Sequence, residues 1–532
     1  MRNRQRMRNY QRMIGRHVFA AAVVGAIVVL SASWKSRVPS VAMADEAALK
    51  PLYDKHAPVD PIAANGQIFV DWPKPDVALM FSGEQDGFLE PCGCAGLQNQ
   101  KGGLKRRHTL IKELSAQGWP VVPLDLGGLT KRYGIQAELK FDYALKALAK
   151  LGYKAVGFGT TDLRLDILSL VLNSSEAKNV FVSANVGILD FDPEYSQRYK
   201  VIEAGGMKIG VTGVLGKKEI SALKNVGDLT LVDPDEALRK VLPQLQKAGC
   251  DQLVLLSYAD PDETKQIAKR FPEFDFVITA GAAGEPPSAS QLIDGTKSQL
   301  IEVGEKGMYV IVVGLYKNGQ PSFRYQRVPL DSRFIDSPEM QKIMVDYQHD
   351  LETLGLEGLG LKPSAHPTAR QFAGSEACAG CHTAATEVYL KTPHHHATQT
   401  LVDLVPPRHF DPECLSCHVT GWEPQKYFPY ISGYLGLKET PEMVGNGCEN
   451  CHGPAARHVA AENGDIEVDD AELEELRAAL RLKIVANEGN KPGQEFDKGK
   501  VVQMCMQCHD LDNSPEFDFQ LFWPHVKHAG KD

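Results

Sequence analysis

Residues 378–382 read Cys-Ala-Gly-Cys-His, and the same Cys-x-x-Cys-His pattern returns at residues 414–418, 448–452 and 505–509. Two thiols at this spacing can add to the two vinyl groups of one haem, and the histidine that follows is then held under the iron. The sequence therefore predicts four covalently attached c-type haems in the last third of the chain. The attaching residues would be Cys378, Cys381, Cys414, Cys417, Cys448, Cys451, Cys505 and Cys508.

Each haem iron has two axial positions, and the histidine of each motif is predicted to fill the proximal one. These proximal ligands would be His382, His418, His452 and His509. The candidates for the distal position in the same region are His394, His395, His396, His409, His458, His525 and His528. An iron with two histidines is shielded from small molecules and only passes electrons, whereas an iron with one histidine is open to a substrate.

Cys-x-x-Cys motifs have other uses as well. Pairs of them bind zinc, and a single one can act as a redox dithiol. Neither use requires histidine directly after every second cysteine, and here all four motifs have it. The motifs account for eight of the eleven cysteines, so haem attachment is the interpretation that we adopt. The three other cysteines are Cys92, Cys94 and Cys250.

The first 44 residues have the order of an export signal. An arginine-rich start is followed by an apolar run over residues 18–33 and by the small-x-small site Ala42-Met43-Ala44. Residues 1–44 are therefore predicted to be a cleaved signal peptide or a retained anchor that attaches the protein to the membrane. Both alternatives place the rest of the chain in the periplasm or another extracytoplasmic space. The net charge of −9 argues against nucleic acid as a partner.

The remainder of the chain divides by composition. A proline-rich lead over residues 45–75 precedes alternating apolar strands and amphipathic helices over residues 76–330, which predict a layered α/β domain. A helix and a linker follow over residues 331–372. From residue 373 to residue 532 cysteine and histidine become frequent and strand signals vanish, so we expect a mostly helical, haem-packed domain.

Two stretches of the α/β region are expected to form antiparallel hairpins. They lie at residues 199–214 and 299–327, where apolar runs are separated by turn residues.

Beyond the motifs, further stretches of the C-terminal region resemble the tetrahaem cytochrome c-554 family. They are Gly374–His382, Thr392–Ala397, Glu413–Gly421, Gly447–Pro454, Asn513–Phe519 and Trp523–His528. The resemblance implies closely packed haem pairs that relay electrons between redox partner proteins, and members of the family can keep one haem five-coordinate. It favours four distal ligands that match recurring histidines of the family: His394, His396, His458 and His528.

The α/β region resembles the calcineurin-like metallophosphoesterases of the 5'-nucleotidase and UDP-sugar hydrolase type, in the order of its elements and in Gly102-Gly-Leu-Lys-Arg-Arg107. Those enzymes hold two metals that activate water. The chain keeps the Asp of the second strand, Asp125, but the imidazole ligands are missing. At the positions where that family has its histidine ligands, this chain has the stretches Gly83–Gly87, Gly159–Asp162, Tyr258 and Ala280–Gly284. We therefore expect no dinuclear metal site, and phosphoesterase activity is the least favoured alternative.

A pair of cysteines follows the first predicted strand, in the stretch Glu90-Pro91-Cys92-Gly93-Cys94. Sheets of this kind carry their active sites at that position. Two cysteines one residue apart can form a strained, easily reduced disulfide or bind a soft metal ion. Cys92 and Cys94 are therefore candidate redox residues for a small-molecule substrate. A plain structural disulfide or two unreactive thiols is the competing interpretation.

Taken together, the sequence predicts an exported tetrahaem c-type cytochrome that transfers electrons. The first alternative is an oxidoreductase that uses an open haem iron or the Cys92/Cys94 pair, and the second is a hydrolase. We expect a pyridine haemochrome assay to count four haems per chain, and the mass to exceed that of the polypeptide by four haem units. A protein that contains zinc and no haem would refute the assignment.

Overall fold

The computed structural model describes residues 59–91, 100–167, 171, 179–223, 227, 229–281, 284–319, 321–482, 500–514 and 517–528. The predicted signal segment, residues 45–58 of the proline-rich lead, and Cys92 and Cys94 lie outside these ranges. Within the described ranges, no helix is both long enough and apolar enough to cross a membrane.

The α/β region contains two large mixed sheets. Its strands are β1 (Val77–Ser82), β2 (Val121–Asp125), β3 (Ala155–Val156), β4 (Val186–Ile188), β5 (Lys200–Ala204), β6 (Met207–Leu215), β7 (Leu229–Leu231), β8 (Gln252–Tyr258), β9 (Phe276–Thr279), β10 (Gln291–Leu292), β11 (Gln299–Glu302), β12 (Tyr309–Leu315) and β13 (Phe323–Pro329). The first sheet has the order β13-β12-β1-β2-β3, and the second has the order β10-β11-β9-β8-β6-β5. Strands β4 and β7 form a separate antiparallel pair.

Helices pack on the outer faces of both sheets or connect their strands. They are α1 (Pro61–Asn65), α2 (Leu104–Ala116), α3 (Ile135–Lys150), α4 (Lys217–Ala222), α5 (Pro234–Lys247), α6 (Pro261–Arg270) and α7 (Pro338–Gly358). Alternate residues of β1 show the layering. Leu79 and Phe81 pack into an apolar layer shared with the second sheet, whereas Ala78 and Met80 pack under α2, α3 and α7. Because α5 and α6 back the second sheet in the same way, the region has four layers, and the predicted layered α/β class is confirmed.

One of the two predicted hairpins is present, and the prediction of the other is wrong in part. Strands β5 and β6 pair antiparallel, as expected for residues 199–214. In the second stretch, β11 runs parallel to β9 in the second sheet, and the hairpin is made by β12 and β13 in the first sheet. The chain changes sheets between Glu302 and Tyr309, through Gly304 and Gly307, which both have positive φ angles. An apolar pattern shows that a strand exists but not which sheet it joins.

The region from residue 373 consists of short helices around a small apolar core. They are α8 (Glu376–Ala379), α9 (Thr383–Leu390), α10 (Ala397–Val402), α11 (Pro412–His418), α12 (Cys448–His452), α13 (Ala456–Glu462), α14 (Asp470–Leu480), α15 (Lys500–Cys505) and α16 (Phe519–Val526). The predicted helical character is confirmed. The expected absence of strands is wrong at one place, where β14 (Trp422–Glu423) pairs with β15 (Phe428–Pro429).

Helix α7 joins the two regions and is packed against both. It lies on α2 and α3, and its Gln348 donates a hydrogen bond of 2.9 Å to the buried carboxylate of Asp411. Asp411 in turn caps α11, the helix that contains the second Cys-x-x-Cys-His motif. The predicted connecting helix therefore also positions a motif.

Candidate haem-binding site

The Cys-x-x-Cys-His motifs all adopt one tight helical turn. In the first motif the His382 N–H donates to the Cys378 carbonyl at 2.9 Å, and in the fourth the His509 N–H donates to the Cys505 carbonyl at 2.9 Å. The second and third motifs lie in α11 and α12. Residues three apart share a face of such a turn, so the two thiols of each motif point to the same side.

Thiols of different motifs meet in space. The Cys378 thiol hydrogen-bonds to Cys448, which joins the first motif to the third. The Cys508 thiol hydrogen-bonds to Cys417, which joins the fourth to the second. Cys451 of the third motif interacts electrostatically with Cys505 of the fourth. The motifs therefore follow one another in the spatial order first, third, fourth and second.

Histidines predicted as distal ligands face histidines predicted as proximal ligands. The ring centres of His394 and His509 are 6.1 Å apart, and those of His452 and His528 are 5.8 Å apart. Two imidazoles that share one metal at a metal–nitrogen distance of about 2 Å have ring centres roughly 6 Å apart. His458 lies beside His382, with which it interacts electrostatically. These pairs fit a haem iron with two axial histidines.

Hydrogen bonds hold the Nδ1 atoms of these rings. Nδ1 of His418 lies 2.7 Å from the Ala397 carbonyl oxygen, and Nδ1 of His452 lies 2.7 Å from that of Leu480. Nδ1 of His528 lies 3.0 Å from the Val526 carbonyl oxygen. An N–H at Nδ1 leaves Nε2 as the free nitrogen that binds a metal, and it fixes the plane of the ring. The donor set therefore has the protonation pattern that haem ligation needs.

Burial keeps these imidazoles neutral. Burial, and then the neighbouring His509 and His418, lowers the pKa of His394 to about 4. Burial also lowers the pKa of His418 and of His452. A neutral ring is the form that ligates iron, so the protein environment favours ligation.

His418 differs from the other proximal histidines. Among the described residues, no imidazole ring is in ring contact with it, although His394, whose ring faces His509, also interacts with it electrostatically. His396, which was predicted as a distal ligand, contacts the ring of His395 at 4.6 Å between centres. The structure therefore brings His394, His458 and His528 next to a proximal histidine, and it does not bring His396 there. The assignment of His396 stays a prediction.

Sequence reasoning missed a buried carboxylate inside the third motif. Glu449 is 3% exposed, and its oxygens accept the backbone N–H groups of Ala373 at 2.9 Å, Gly374 at 2.8 Å and Ala455 at 2.8 Å. These bonds tie the segment before the first motif to the third motif. The signal in the sequence is a charged residue between the cysteines of the motif, where it has no role in haem attachment.

The carboxyl ends of the central strands form the second feature of the site. Glu84 and Asp86, just after β1, both have left-handed backbone conformations, with φ angles of 45° and 56°. The Glu84 carboxylate accepts a hydrogen bond from Tyr258 at the end of β8, while its buried Oε1 has no partner. Burial, and then the nearby Asp86, raises the pKa of Glu84 to about 8. Strained backbone and an unsatisfied buried carboxyl are concentrated at functional sites in proteins.

The two other carboxylates at this edge accept hydrogen bonds from neighbouring side-chain and backbone groups. Asp125 accepts from the Ser82 hydroxyl at 2.5 Å and from the Gly127 N–H at 2.9 Å. Asp162 accepts the N–H groups of Gly128 at 2.9 Å and Gly159 at 3.1 Å. In the part of the chain that the structure describes, no three His, Cys, Asp or Glu side chains are grouped to hold a metal ion.

Ion pairs join this sheet edge to the cytochrome region. Nζ of Lys306 is 2.6 Å and Nζ of Lys131 is 3.1 Å from the carboxylate of Asp512, three residues after His509. Nζ of Lys140 is 2.5 Å from Glu413, the residue before Cys414. The second and fourth motifs are therefore the ones that adjoin the α/β region.

Comparisons with known proteins agree with a joined architecture. The model of the family "Cytochrome c554 and c-prime" matches residues 377–453. Cytochrome c-554 of Nitrosomonas europaea is 28% identical over 158 residues, which are 27% of this chain and 60% of that protein. The snake venom 5'-nucleotidase of Gloydius brevicauda is 28% identical over 238 residues, which are 43% of this chain and 40% of that protein.

Among solved structures, the 5'-nucleotidase precursor from Thermus thermophilus aligns with a TM-score of 0.44 and 17% identity, over 52% of this chain and 59% of that one. The chain thus spans less than two thirds of each of these relatives. Its sequence joins a 5'-nucleotidase-like α/β region to a cytochrome c-554-like region.

Glu84→Gln is expected to change how stability depends on pH. The ordinary pKa of a glutamate, 4.5, applies to the unfolded chain, and the folded value is about 8. Between these values the folded protein keeps a proton that the unfolded chain releases, so the wild-type free energy of unfolding falls as pH rises, by at most about 1.4 kcal/mol per unit. The glutamine is neutral throughout, so the variant should gain stability over the wild type from pH 5 to pH 8. Denaturant titrations at both pH values measure the difference; a constant difference would show that Glu84 is ionised in the folded protein.

Proposed function

We propose that this protein is an extracytoplasmic electron-transfer protein that holds four c-type haems at its Cys-x-x-Cys-His motifs. The observation that carries the proposal is the facing of His394 with His509 and of His452 with His528, at 6.1 Å and 5.8 Å between ring centres. Two histidines on one iron leave no room for a substrate, so such a haem passes electrons. The matched cytochrome family supports haem attachment, and the predicted export signal supports the location.

The polypeptide supplies attachment, orientation and exclusion of water. When bound, a haem supplies a one-electron iron couple. The thiols of each turn would hold it, and the carbonyl groups of Ala397 and Leu480 fix the rings of His418 and His452, which would bind its iron. Contacts between thiols of successive motifs favour a route in the order first, third, fourth and second. A redox partner protein would exchange electrons with one end of this row.

Reductive titration of the full-length protein tests this function. We expect four electron equivalents per chain and reoxidation by an added one-electron acceptor. Replacing Cys505 and Cys508 by serine should leave three equivalents and slow exchange between the first and second motifs, since the fourth lies between them. Cys250→Ser, which removes a thiol outside the motifs, is the matched control and should retain four. Phosphate release from nucleotides with added divalent metal, abolished by Asp125→Asn, would support the hydrolase alternative.

A second candidate function is favoured by the surroundings of His418. His394 interacts electrostatically with His418 but has its ring contact with His509, so the haem of the second motif would have an open axial position. An open iron can bind a small molecule and reduce or oxidise it, which would make the protein an oxidoreductase. Cys92 and Cys94, the other redox candidates, lie outside the described residues and stay predicted redox residues.

Carbon monoxide binding to the reduced protein tests for the open iron. We expect one CO per chain in the wild type, seen as a shift of the Soret band. His394→Ala should raise the number to two, because it removes the imidazole that faces His509. His349→Ala, an exposed histidine of α7, should leave the number at one. Wild-type protein that binds no CO would mean that all four irons have two protein ligands, and the oxidoreductase candidate would be lost.

A further inference from the structure

Two consecutive residues in the loop before the second motif have buried nitrogen atoms without a hydrogen-bond partner. They are Nε of Arg408 and Nδ1 of His409. More than nine tenths of buried polar groups in native proteins are hydrogen-bonded, and an unsatisfied donor on a charged group is the costliest exception. Two such atoms side by side indicate an acceptor that belongs to the assembled protein.

The loop is held firmly, so its donors are not free to turn elsewhere. The Arg408 N–H donates to the Leu401 carbonyl at 2.9 Å, and the Asp411 N–H donates to the Arg408 carbonyl at 3.0 Å. The Asp411 carboxylate accepts from Gln136 at 2.8 Å and from Gln348 at 2.9 Å. It is therefore satisfied without Arg408, and it is not the missing partner.

The guanidinium of Arg408 lies between the α/β region and the second motif. Its Nη2 donates to Glu90, which also pairs with Lys105. On the other side it lies near Cys414, the first attaching cysteine of the motif. The charge is thus buried beside the place where the haem of this motif is attached, with Nε unused.

A haem has two propionate groups, which are carboxylates and hydrogen-bond acceptors, and an arginine is the side chain best suited to bind such groups. We propose that Arg408 and His409 bind a propionate of the haem attached at Cys414 and Cys417. Arg408 would then link two carboxylates, one from the haem and one from Glu90. It is a positioning residue, which fixes this haem against the α/β region and stabilises its reduced form by placing positive charge close to the iron. The inference rests on the proposed haem attachment.

The variants Arg408→Gln and Glu90→Gln have opposite expected effects on the midpoint potential of one haem. Arg408→Gln removes positive charge and should lower it, while Glu90→Gln removes negative charge and should leave it unchanged or raise it. His409→Gln should lower it by a smaller amount. Arg481→Gln, an exposed arginine paired with Glu474, is the control for loss of one charge and should leave all four potentials in place.

Spectroelectrochemistry of the full-length holoprotein measures these potentials, and the pyridine haemochrome count is taken on every variant. Four haems and unchanged potentials in Arg408→Gln would overturn this inference alone, as would shifts of the same sign in Arg408→Gln and Glu90→Gln. Absence of haem from the wild type would instead overturn the proposed function. If Arg408→Gln does not assemble, Arg408→Lys keeps the charge but loses the Nε donor. Its redox difference infrared spectrum should then show a shifted propionate carboxylate band, and an unshifted band would refute the contact.

Discussion

Each Cys-x-x-Cys-His turn holds two thiols and one imidazole close together, and the region from residue 373 is organised around four such turns. Its apolar core is small, so apolar burial alone cannot hold four turns in register. Buried polar groups do so instead. Glu449 binds the backbone before the first motif and after the third, Asp411 ties α11 to the α/β region, and Thr420 donates to the Gly445 carbonyl at 2.9 Å. Loss of any of them would leave its partners unsatisfied in the interior.

The α/β region meets a different constraint at its sheet edge. Four acidic side chains collect there, and the imidazole ligands of related phosphoesterases are missing. Asp125 and Asp162 accept hydrogen bonds from the fold, and burial raises the pKa of Asp162 and of Asp86 to about 6. Lys131 and Lys306 stand beside Asp86 and reach Asp512 of the cytochrome region. Ion pairs thus join the two regions, and separating the regions would leave Lys131 and Lys306 on one side and Asp512 on the other without these partners.

The features that could be predicted from the sequence are those that depend on residues close together in the chain. The spacing of the cysteines predicted the motifs, and apolar runs predicted the α/β layers, because both are properties of neighbouring residues. Strand pairings and side-chain contacts between residues far apart in the sequence could not be predicted in this way. Nothing in the sequence near β11 shows that it joins β9 and not β12. Likewise, the resemblance ranked His394 and His396 equally as distal ligands, yet only His394 lies against a proximal ring, because α10 begins at Ala397 and sets the direction of the chain there.

The order of the motifs gives the molecule a direction. The second motif stands at one end of the row, joined to the α/β region through Asp411 and Glu413, and the first motif stands at the other end. Within the described residues, the second motif, whose His418 has no imidazole in ring contact, is therefore also one that adjoins the α/β region. The proposed open haem of this motif would therefore stand where a small molecule approaches more closely than a partner protein. Under the proposed function, electron exchange with a partner protein would take place at the first motif, and chemistry on a small molecule at the second.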